Sequence, residues 1–364
     1  METGLGWNDW ASRPYVFDEY MHPTAWTGRE AIRYIQNRSS HSDDDRPLFL
    51  KVSFHRPHSP YDPPQRWFDR VDPQGLTPPA VGGNWDAIYK NNSTGCGRGK
   101  PDAWCGAMDP EDVQQTRASY LANVMMVDEW IGRIYDAMKA EYPNTYFVFT
   151  SDHGDMQGDH NLWRKGYPYE GSSHIPMLIE WPKGSGLIPE DLRGTRVKEV
   201  VELRDVLPTI AQIAGVDVIP SLQDDDGVSM LCLLNSNHSC PSWRPYLDLE
   251  HSIVYNETMH WNALTDGRKK YVFRAFFGDE QLFDLVRDPR EMHNLVDDPQ
   301  YQFHLQLWRS RMVEQFRTEG RGQRWVTVGG QLQRREKGQL YSPNYPNTTS
   351  FLRHGLDRPA SSTT

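Results

Sequence analysis

A short apolar run followed at once by polar residues constrains the fold of this chain most strongly. Residues 146–149 read Tyr-Phe-Val-Phe, and residues 150–155 read Thr-Ser-Asp-His-Gly-Asp. Aromatic and β-branched runs without Gly or Pro are typical of buried parallel strands. The polar cluster would then lie at the carboxyl end of a strand, where open α/β sheets place their active sites. Asp152 and His153 can offer a carboxylate oxygen and an imidazole nitrogen to a metal ion there.

Cations and glycines follow this cluster along the chain. Residues 163–165 read Trp-Arg-Lys, and residues 169–171 read Tyr-Glu-Gly. Cations bind negatively charged groups, and glycine lets the backbone approach a ligand closely. A metal pair, cations and glycines within one short stretch predict a site for a doubly charged oxyanion ester.

A second apolar run, at residues 48–54, is also predicted to form a buried strand. It leads directly into the sequence His-Arg-Pro-His-Ser-Pro-Tyr at residues 55–61. A histidine in such a loop can assist a leaving group as a general acid, or it can merely hydrogen-bond within the loop. His55 and His58 are therefore candidate site residues with two open interpretations.

The remaining periodicities predict an α/β region followed by an antiparallel one. In the first region, helices are predicted at residues 27–35, 112–140 and 206–215, the last ending at a glycine, and a further strand at residues 175–181. After about residue 243 the pattern changes to a hairpin over residues 261–273, a strand at residues 281–285 and a helix at residues 301–316.

Composition excludes two classes of partner. The formal net charge of −10 argues against a nucleic-acid-binding protein, which needs a basic face. The chain has no run of about 18 apolar residues, so no membrane span is expected. Residues 1–14 lack the basic start and apolar core of a signal peptide. Nothing in the sequence indicates the oligomeric state.

Cysteine spacing and glycosylation sequons nevertheless indicate the secretory route. Cys96 with Cys105 and Cys232 with Cys240 each close a short loop compatible with a disulfide, although four free thiols are the alternative. Asn-x-Ser/Thr matches occur at Asn37, Asn91, Asn92, Asn237, Asn256 and Asn347. A secreted glycoprotein without a visible signal peptide is explained most simply if the chain lacks its natural amino terminus.

Several ordered segments of the chain resemble those of a type I sulfatase, a member of the alkaline-phosphatase-like superfamily. Each match alone is weak, because short motifs such as Asp-His-Gly recur by chance. In this order and spacing the segments are highly specific. They comprise residues 54–61, 127–132, 152–155, 165–171, 205–209, 261–272 and 282–291.

The resemblance implies an α/β fold, with a mixed sheet flanked by helices and a small carboxyl-terminal antiparallel subdomain. Residues 1–243 would form the later portion of the catalytic domain, residues 244–320 the antiparallel subdomain with a helix, and residues 321–364 a polar tail. The family's upstream Asp-Asp metal pair and its Cys/Ser-x-Pro-x-Arg motif are not found in a suitable place. We therefore expect the fold to be incomplete at its amino terminus, with an exposed sheet edge and exposed apolar surface.

The resemblance also implies roles for individual residues. Family members use a divalent metal, usually Ca²⁺, and a formylglycine whose hydrate attacks sulfur; here the formylglycine is expected upstream of the chain. Asp152 and His153 would lie at the metal. Lys165 matches the lysine that contacts a sulfate oxygen next to the leaving group. Either His58 or His55 matches the histidine at the ester oxygen, and His58 is favoured because it directly precedes Ser59-Pro60.

Other polar and aromatic residues stay open to two interpretations. Arg56 and Arg164 can contact substrate anions or pair with carboxylates. Asp155 and Asp159 are interpreted as structural. Four tryptophans can stack on sugars, although large aromatic side chains belong more often to a core; they are Trp67, Trp85, Trp104 and Trp163.

The predicted function is hydrolysis of an aryl or carbohydrate sulfate ester, with a sulfated small molecule or glycan as the partner. The full-length protein is expected to be extracellular or lysosomal. One alternative is a phosphodiesterase or phosphonate hydrolase of the same superfamily, and another is a catalytically silent protein that binds sulfated glycans. A truncated product that does not fold stably is the third.

Overall fold

The computed structural model describes residues 5–41, 46–90, 100–216, 227–235, 240–252 and 258–336. The chain divides into two compact units. The first unit comprises residues 1–165 and 169–244, and the second comprises residues 166–168 and 245–364.

The first unit contains six α-helices and two strands among its described residues. The helices are α1 (Pro23–His41), α2 (Gln65–Phe68), α3 (Ala87–Lys90), α4 (Pro110–Glu141), α5 (Glu170–Ser173) and α6 (Val206–Ala214). The strands are β1 (Phe147–Thr150) and β2 (Met177–Glu180). The helices predicted at residues 27–35, 112–140 and 206–215 are therefore confirmed as α1, α4 and α6, and the strand predicted at residues 175–181 as β2.

Helix α4 owes its position to its first turn and to its apolar face. The side chain of Asp109 accepts a hydrogen bond from the backbone of Glu111 at 2.9 Å, which caps the helix. Its apolar face packs on α1, where Ile35 meets Ile134 and Met138. The two helices approach closely at Gly28, because a Cβ atom there would lie 2.2 Å from the ring of Trp130.

Strand β1 lies where the sequence predicts a strand, but its pairing differs from the prediction. The sequence predicts a buried parallel strand, and this is wrong, since β1 pairs antiparallel with β2 from Phe147 opposite Glu180 to Thr150 opposite Met177. The ladder is half-buried, and Leu178 is 57% exposed. An apolar run encodes the tendency to form a strand, whereas the direction of its partner depends on residues elsewhere in the chain.

Residues 48–54 are extended but do not form the predicted strand. Their exposure alternates: Phe49 is 71% exposed, whereas Leu48, Leu50, Val52 and Phe54 pack against the cluster formed by α1 and α4. In the part of the chain that the structure describes, no strand pairs with this segment. The alternation of a strand is present, but the pairing that defines one is not.

The second unit is built around a four-stranded antiparallel sheet and one helix. The strands are β3 (Leu247–His251), β4 (Trp261–Thr265), β5 (Lys269–Arg274) and β6 (Asp279–Asp284), paired in chain order. Helix α7 (Gln302–Thr318) covers the sheet, so that Trp308 and Phe316 share a core with Tyr271 and Leu282. The predicted hairpin, final strand and final helix are confirmed. Trp325 and Val326, which follow α7, also belong to this core.

The cysteines of the described residues are oxidised. Cys232 forms a disulfide with Cys240, as the spacing predicts, and Cys105 is also disulfide-bonded. Its predicted partner, Cys96, lies outside the described residues. None of the helices that the structure describes combines the length and the apolar character needed to cross a membrane.

Candidate active site

The loop of residues 55–61 is fixed by a buried ion pair. Arg56 and Asp62 are 6% and 3% exposed, and a guanidinium nitrogen of Arg56 lies 2.7 Å from the Asp62 carboxylate. Arg56 therefore pairs with a carboxylate. Of the two interpretations given for Arg56, this contact supports the structural one. An ion pair with both partners buried holds its loop firmly, because breaking it would leave a buried charge uncompensated.

The fixed loop presents His58 to Lys165, 107 residues later in the chain. The His58 Nδ1 atom donates to the backbone carbonyl of Ser59 at 2.8 Å, which leaves Nε2 free to accept. The Lys165 ammonium donates to this Nε2 atom. Burial lowers the pKa of His58, and the positive charge of Lys165 lowers it further. The pair is therefore a neutral imidazole next to a cation.

His55 lies beside His58 on the same loop. Its Nε2 atom donates to the same Ser59 carbonyl at 3.2 Å, and the centroids of the two imidazole rings are 4.9 Å apart. Burial of part of the ring, together with the Arg56 charge, lowers the pKa of His55. Both histidines are thus held in the neutral form at neutral pH.

The carboxylate of Asp155 joins this loop to the segment that carries Lys165. Its Oδ2 atom accepts from the hydroxyl group of Tyr61 at 2.7 Å, and its Oδ1 atom accepts from the backbone of Arg164 at 3.1 Å. Burial lowers the pKa of Lys165, whereas the Asp155 charge acts in the opposite direction. Asp155 therefore sets both the position of Lys165 and part of its electrostatic environment.

Asp152 and His153 follow β1 directly. The Asp152 side chain is 83% exposed, and its Oδ1 atom accepts from the backbone of His153 at 3.0 Å. The His153 Nδ1 atom donates to the carbonyl of Gly154 at 2.8 Å, and its ring centroid lies 5.8 Å from that of His58. Gly154 is required here, since a Cβ atom would lie 2.2 Å from the backbone oxygen of Gly171.

The structure thus brings His55, His58, Lys165 and His153 into one array, with Asp152 at its solvent side. Other candidates lie elsewhere. Arg164 is 4% exposed and donates to the backbone of Asp102 at 2.9 Å. The four tryptophans named as possible sugar platforms are all at most 9% exposed, so the core interpretation is confirmed for Trp67, Trp85, Trp104 and Trp163.

Two features of the site escape sequence reasoning. One is the hydrogen bond from Tyr61 to Asp155, which joins residues 94 positions apart and has no local signature. The other is Trp7, which is 58% exposed although its ring centroid lies 4.4 Å from that of His55. A tryptophan in a short polar segment, between Gly6 and Asn8, was the only available signal.

Comparison with known proteins identifies the family to which these residues belong. The model of the sulfatase family matches residues 5–216, and the model described as N-sulphoglucosamine sulphohydrolase, C-terminal, matches residues 158–318. The chain belongs to the sulfatase family. The resemblance to a type I sulfatase seen in the sequence is therefore confirmed.

Individual sulfatases and a solved structure agree with this assignment. An arylsulfatase of Clostridium perfringens is 36% identical over 88% of this chain and 63% of its own length. A choline-sulfatase of Rhizobium meliloti is 30% identical over 77% of this chain and 52% of its own length. The structure of a phosphonate monoester hydrolase of Agrobacterium radiobacter has a TM-score of 0.70, 25% identity, and coverage of 91% of this chain and 68% of that chain. The predicted α/β fold is confirmed.

The chain spans between about half and two thirds of the length of these two curated sulfatases. Sulfatases typically use a metal ion, and Ca²⁺ takes about six to eight oxygen ligands. Asp152 supplies one exposed carboxylate, and His153 supplies a nitrogen. Among the described residues, no group of three or more His, Cys, Asp or Glu side chains is arranged to hold a metal ion. These residues therefore fit only part of a calcium site.

Proposed function

We propose that this sulfatase-family chain serves the hydrolysis of sulfate esters of aryl or carbohydrate alcohols, with Lys165 as the residue that binds the ester and His58 as the residue that positions the Lys165 ammonium. The observation that carries the proposal is the hydrogen bond from the Lys165 ammonium to His58 Nε2. It places a cation and a polar ring together on two loops that Asp155 joins. Similarity to an arylsulfatase and a choline-sulfatase supports sulfate as the charged group.

Lys165 would bind a sulfate oxygen and stabilise the negative charge that develops on the leaving oxygen. Fixed cations at the position of developing charge are a major source of transition-state stabilisation. His58 accepts one of the three ammonium protons, which fixes the position of the ammonium group. Because burial lowers its pKa, Lys165 is also a better proton donor to a departing phenoxide or alkoxide than a lysine in water.

A divalent cation, with Ca²⁺ as the expected metal, would supply positive charge that orients the sulfate group. Asp152 is the first choice as its ligand, and His153 the second. A formylglycine hydrate is the nucleophile that family resemblance implies, and none of the residues named above supplies it. The binding role given to Lys165 and the positioning role given to His58 depend on neither group, whereas proton transfer from Lys165 to the leaving oxygen requires the nucleophile.

A phosphonate ester is the second candidate substrate, because the similar structure from Agrobacterium radiobacter is that of a phosphonate monoester hydrolase. A tetrahedral phosphonate carries oxygen atoms that Lys165 could bind in the same way. Sulfate is favoured because the curated sulfatases align at higher identity, 36% and 30%, than this structure at 25%.

Calorimetric titration of this chain with phenyl sulfate tests the proposal. Titration with phenyl phenylphosphonate tests the alternative, a phosphonate ester. Lys165→Ala removes a charged hydrogen-bond donor and should weaken binding of phenyl sulfate by roughly tenfold or more. Lys183→Ala, at an exposed position outside the array, is the control and should bind as the unmodified chain does. Equal affinity of the Lys165→Ala variant and the unmodified chain would refute the assignment.

Turnover separates an enzyme from a silent binding protein. Release of 4-nitrophenol from 4-nitrophenyl sulfate, in the presence and absence of Ca²⁺, would show hydrolysis and its dependence on metal. Because none of the residues named above supplies the nucleophile, this assay uses the protein together with the expected upstream formylglycine. Binding without release by that protein at any metal concentration would favour the silent sulfated-glycan-binding protein.

We also propose passage through the secretory pathway as a glycoprotein. The Cys232–Cys240 disulfide and the disulfide-bonded Cys105 support an oxidising compartment. Expression in eukaryotic cells, followed by a glycosidase that removes N-linked glycans, should lower the apparent mass of the protein. An unchanged mass would contradict glycosylation of the predicted sequons.

A further inference from the structure

We propose that Arg164 is a positioning residue for Lys165: its buried guanidinium fixes the turn from which the Lys165 side chain reaches the site. The inference rests on the proposed function, because it takes Lys165 as the residue that binds the sulfate group. It also gives a role to Arg164, whose interpretation stayed open in the sequence. That role is indirect, since Arg164 is 4% exposed.

The backbone of Arg164 is held in the left-handed region. Its φ angle is 67°, which a residue with a side chain keeps only when the contacts around it fix the conformation. The backbone N–H of Arg164 donates to the Asp155 carboxylate at 3.1 Å, and its carbonyl accepts from the backbone of Met156 at 2.7 Å. Because Lys165 is the next residue, the direction of its side chain depends on this turn.

The side chain of Arg164 ties the turn to a different segment of the chain. Its Nη2 atom donates to the backbone carbonyl of Asp102 at 2.9 Å. A buried charged donor resists displacement, because leaving it without its acceptor is costly. The guanidinium therefore acts as an anchor for the turn rather than as a group that reaches a ligand.

The segment of residues 102–106 is itself fixed, so it can serve as the anchor point. The carbonyl of Trp104 accepts from the backbone of Trp163 at 3.0 Å, and Cys105 forms an antiparallel bridge with Leu162. Cys105 is also fully buried and disulfide-bonded. The residues directly before Arg164 are thus held by the same segment that accepts the guanidinium hydrogen bond.

This anchoring matters because Lys165 has a flexible side chain and one place to reach. Its ammonium donates to the His58 Nε2 atom. A four-carbon stem has many rotamers, and the direction of the backbone selects those that bring the ammonium to this position. Without the anchor the turn can relax, and the ammonium would spend less time where it binds the sulfate group. Productive geometry tolerates only small displacements.

Calorimetric titration with phenyl sulfate tests the role of the guanidinium. Arg164→Met keeps an unbranched side chain but removes the donor, and it should weaken binding by roughly three- to tenfold. Arg164→Lys keeps a cationic donor and should restore most of the affinity. Arg164→Gly adopts a positive φ without strain but has no anchor, so it should bind as weakly as Arg164→Met. Full affinity of Arg164→Gly would show that the backbone conformation alone positions Lys165, and would overturn the inference.

A double-mutant cycle tests whether Arg164 acts through Lys165. In the Lys165→Ala background, Arg164→Met should leave the affinity for phenyl sulfate unchanged, because no ammonium is left to position. Equal weakening by Arg164→Met in both backgrounds would mean that Arg164 acts on the ligand by another route or supports the fold in general. Either result would overturn the positioning role.

A matched arginine controls for the loss of a side-chain anchor elsewhere in the same unit. Arg193 donates to the backbone carbonyl of Trp181 at 2.8 Å, and Arg193→Met should leave the affinity unchanged. Thermal unfolding of each variant shows whether it is folded at the temperature of the titration. If Arg164→Met does not fold, the comparison of Arg164→Lys with Arg164→Gly still tests the guanidinium.

The results that overturn the inference differ from those that overturn the proposed function. Unchanged affinity of Arg164→Met, together with weakened binding by Lys165→Ala, would overturn the inference alone. Unchanged affinity of Lys165→Ala would overturn the proposed function and the inference with it. Failure of the unmodified chain to bind phenyl sulfate would also overturn both.

Discussion

Removal of the Tyr61 hydroxyl group tests whether Asp155 holds the two loops of the site together. Tyr61 is fully buried, and its hydroxyl group donates to a carboxylate at 2.7 Å. A hydrogen bond to a charged group contributes about 1.5–3 kcal/mol to stability. In Tyr61→Phe the carboxylate keeps its bonds from the backbone of Gln157 and Arg164. The free energy of unfolding should therefore fall by about 1.5–3 kcal/mol.

The chain offers a matched control for this substitution. Tyr135 also donates its hydroxyl group to a carboxylate, that of Glu180 at 2.9 Å, but in a partly exposed position. Water can replace that contact, so Tyr135→Phe should cost much less stability than Tyr61→Phe. Urea denaturation measures both losses. Equal losses in the two variants would refute the argument that burial makes the Tyr61 contact strong.

Asp155→Asn separates the charge of Asp155 from the hydrogen bonds that it makes to Tyr61 and Arg164. An asparagine can still accept from the two backbone groups and donate to the Tyr61 oxygen, so the loops should stay joined. The negative charge of Asp155 raises the pKa of Lys165 against the effect of burial, and its loss should lower that pKa further. Lys165 would then lose its proton at lower pH.

Sulfate binding across a pH series measures this difference. In Asp155→Asn, binding of inorganic sulfate should disappear at lower pH than in the unmodified chain. In Tyr61→Phe, the midpoint should stay where it is in the unmodified chain, because the carboxylate remains. If Asp155→Asn leaves the midpoint unchanged, Asp155 does not set the electrostatics of Lys165.

Three further predictions concern contacts other than those of Tyr61 and Asp155. Replacement of Cys232 and Cys240 by serine should cost about 2–3 kcal/mol of stability in urea, the value for a disulfide that closes so short a loop. Asp205→Ala should cost about 3–5 kcal/mol by the same assay, because it leaves the Arg244 guanidinium without its two 2.7 Å bonds. His58 has a folded-state pKa below its ordinary value of 6.5, so the unfolded chain binds its proton first as the pH falls. The stability that depends on neutral His58 is therefore fully present above pH 6.5 and is lost as the pH falls through the folded-state pKa. The His58→Gln variant should lose less stability than the unmodified chain on acidification.

Local signals in the sequence account for most elements of the fold. The apolar spacing of residues 112–140 predicts α4, and Asp109 and Tyr142 at its ends explain the observed bounds of Pro110–Glu141. The turn at Asp266 and Gly267 predicts the hairpin of β4 and β5, since its register depends only on neighbouring residues. Each of these elements is specified by residues that lie close together in the chain.

Pairing between distant strands could not be predicted in this way. Residues 146–149 contain no information about whether β2 approaches in the parallel or the antiparallel direction. Residues 48–54 have the composition of a strand, but a strand also needs a partner. Both errors therefore concern contacts that another part of the chain supplies.

In the candidate site, too, local motifs identify some residues, whereas contacts between distant residues could not be predicted. His55, His58 and Lys165 were named from motifs, and the structure places them together, although their roles stay predictions. Asp155 and Trp7 act through contacts with residues far away in the sequence, Tyr61 and His55 respectively. Sequence patterns can nominate groups with suitable chemistry, but they do not show which residues hold those groups in place.

Among the residues that the structure describes, no strand pairs with residues 48–54, and this has a consequence for amide hydrogen exchange. Exchange is slowed by hydrogen bonding of the amide, not by burial of the side chain that follows it. The amides of this segment should therefore exchange as rapidly as those of a surface loop, even though Leu50 and Val52 pack on the core of α1 and α4. Amides of α4 near Ile134, in the same cluster, should be protected. One core would thus combine slow-exchanging helices with a fast-exchanging segment that packs on them through its side chains.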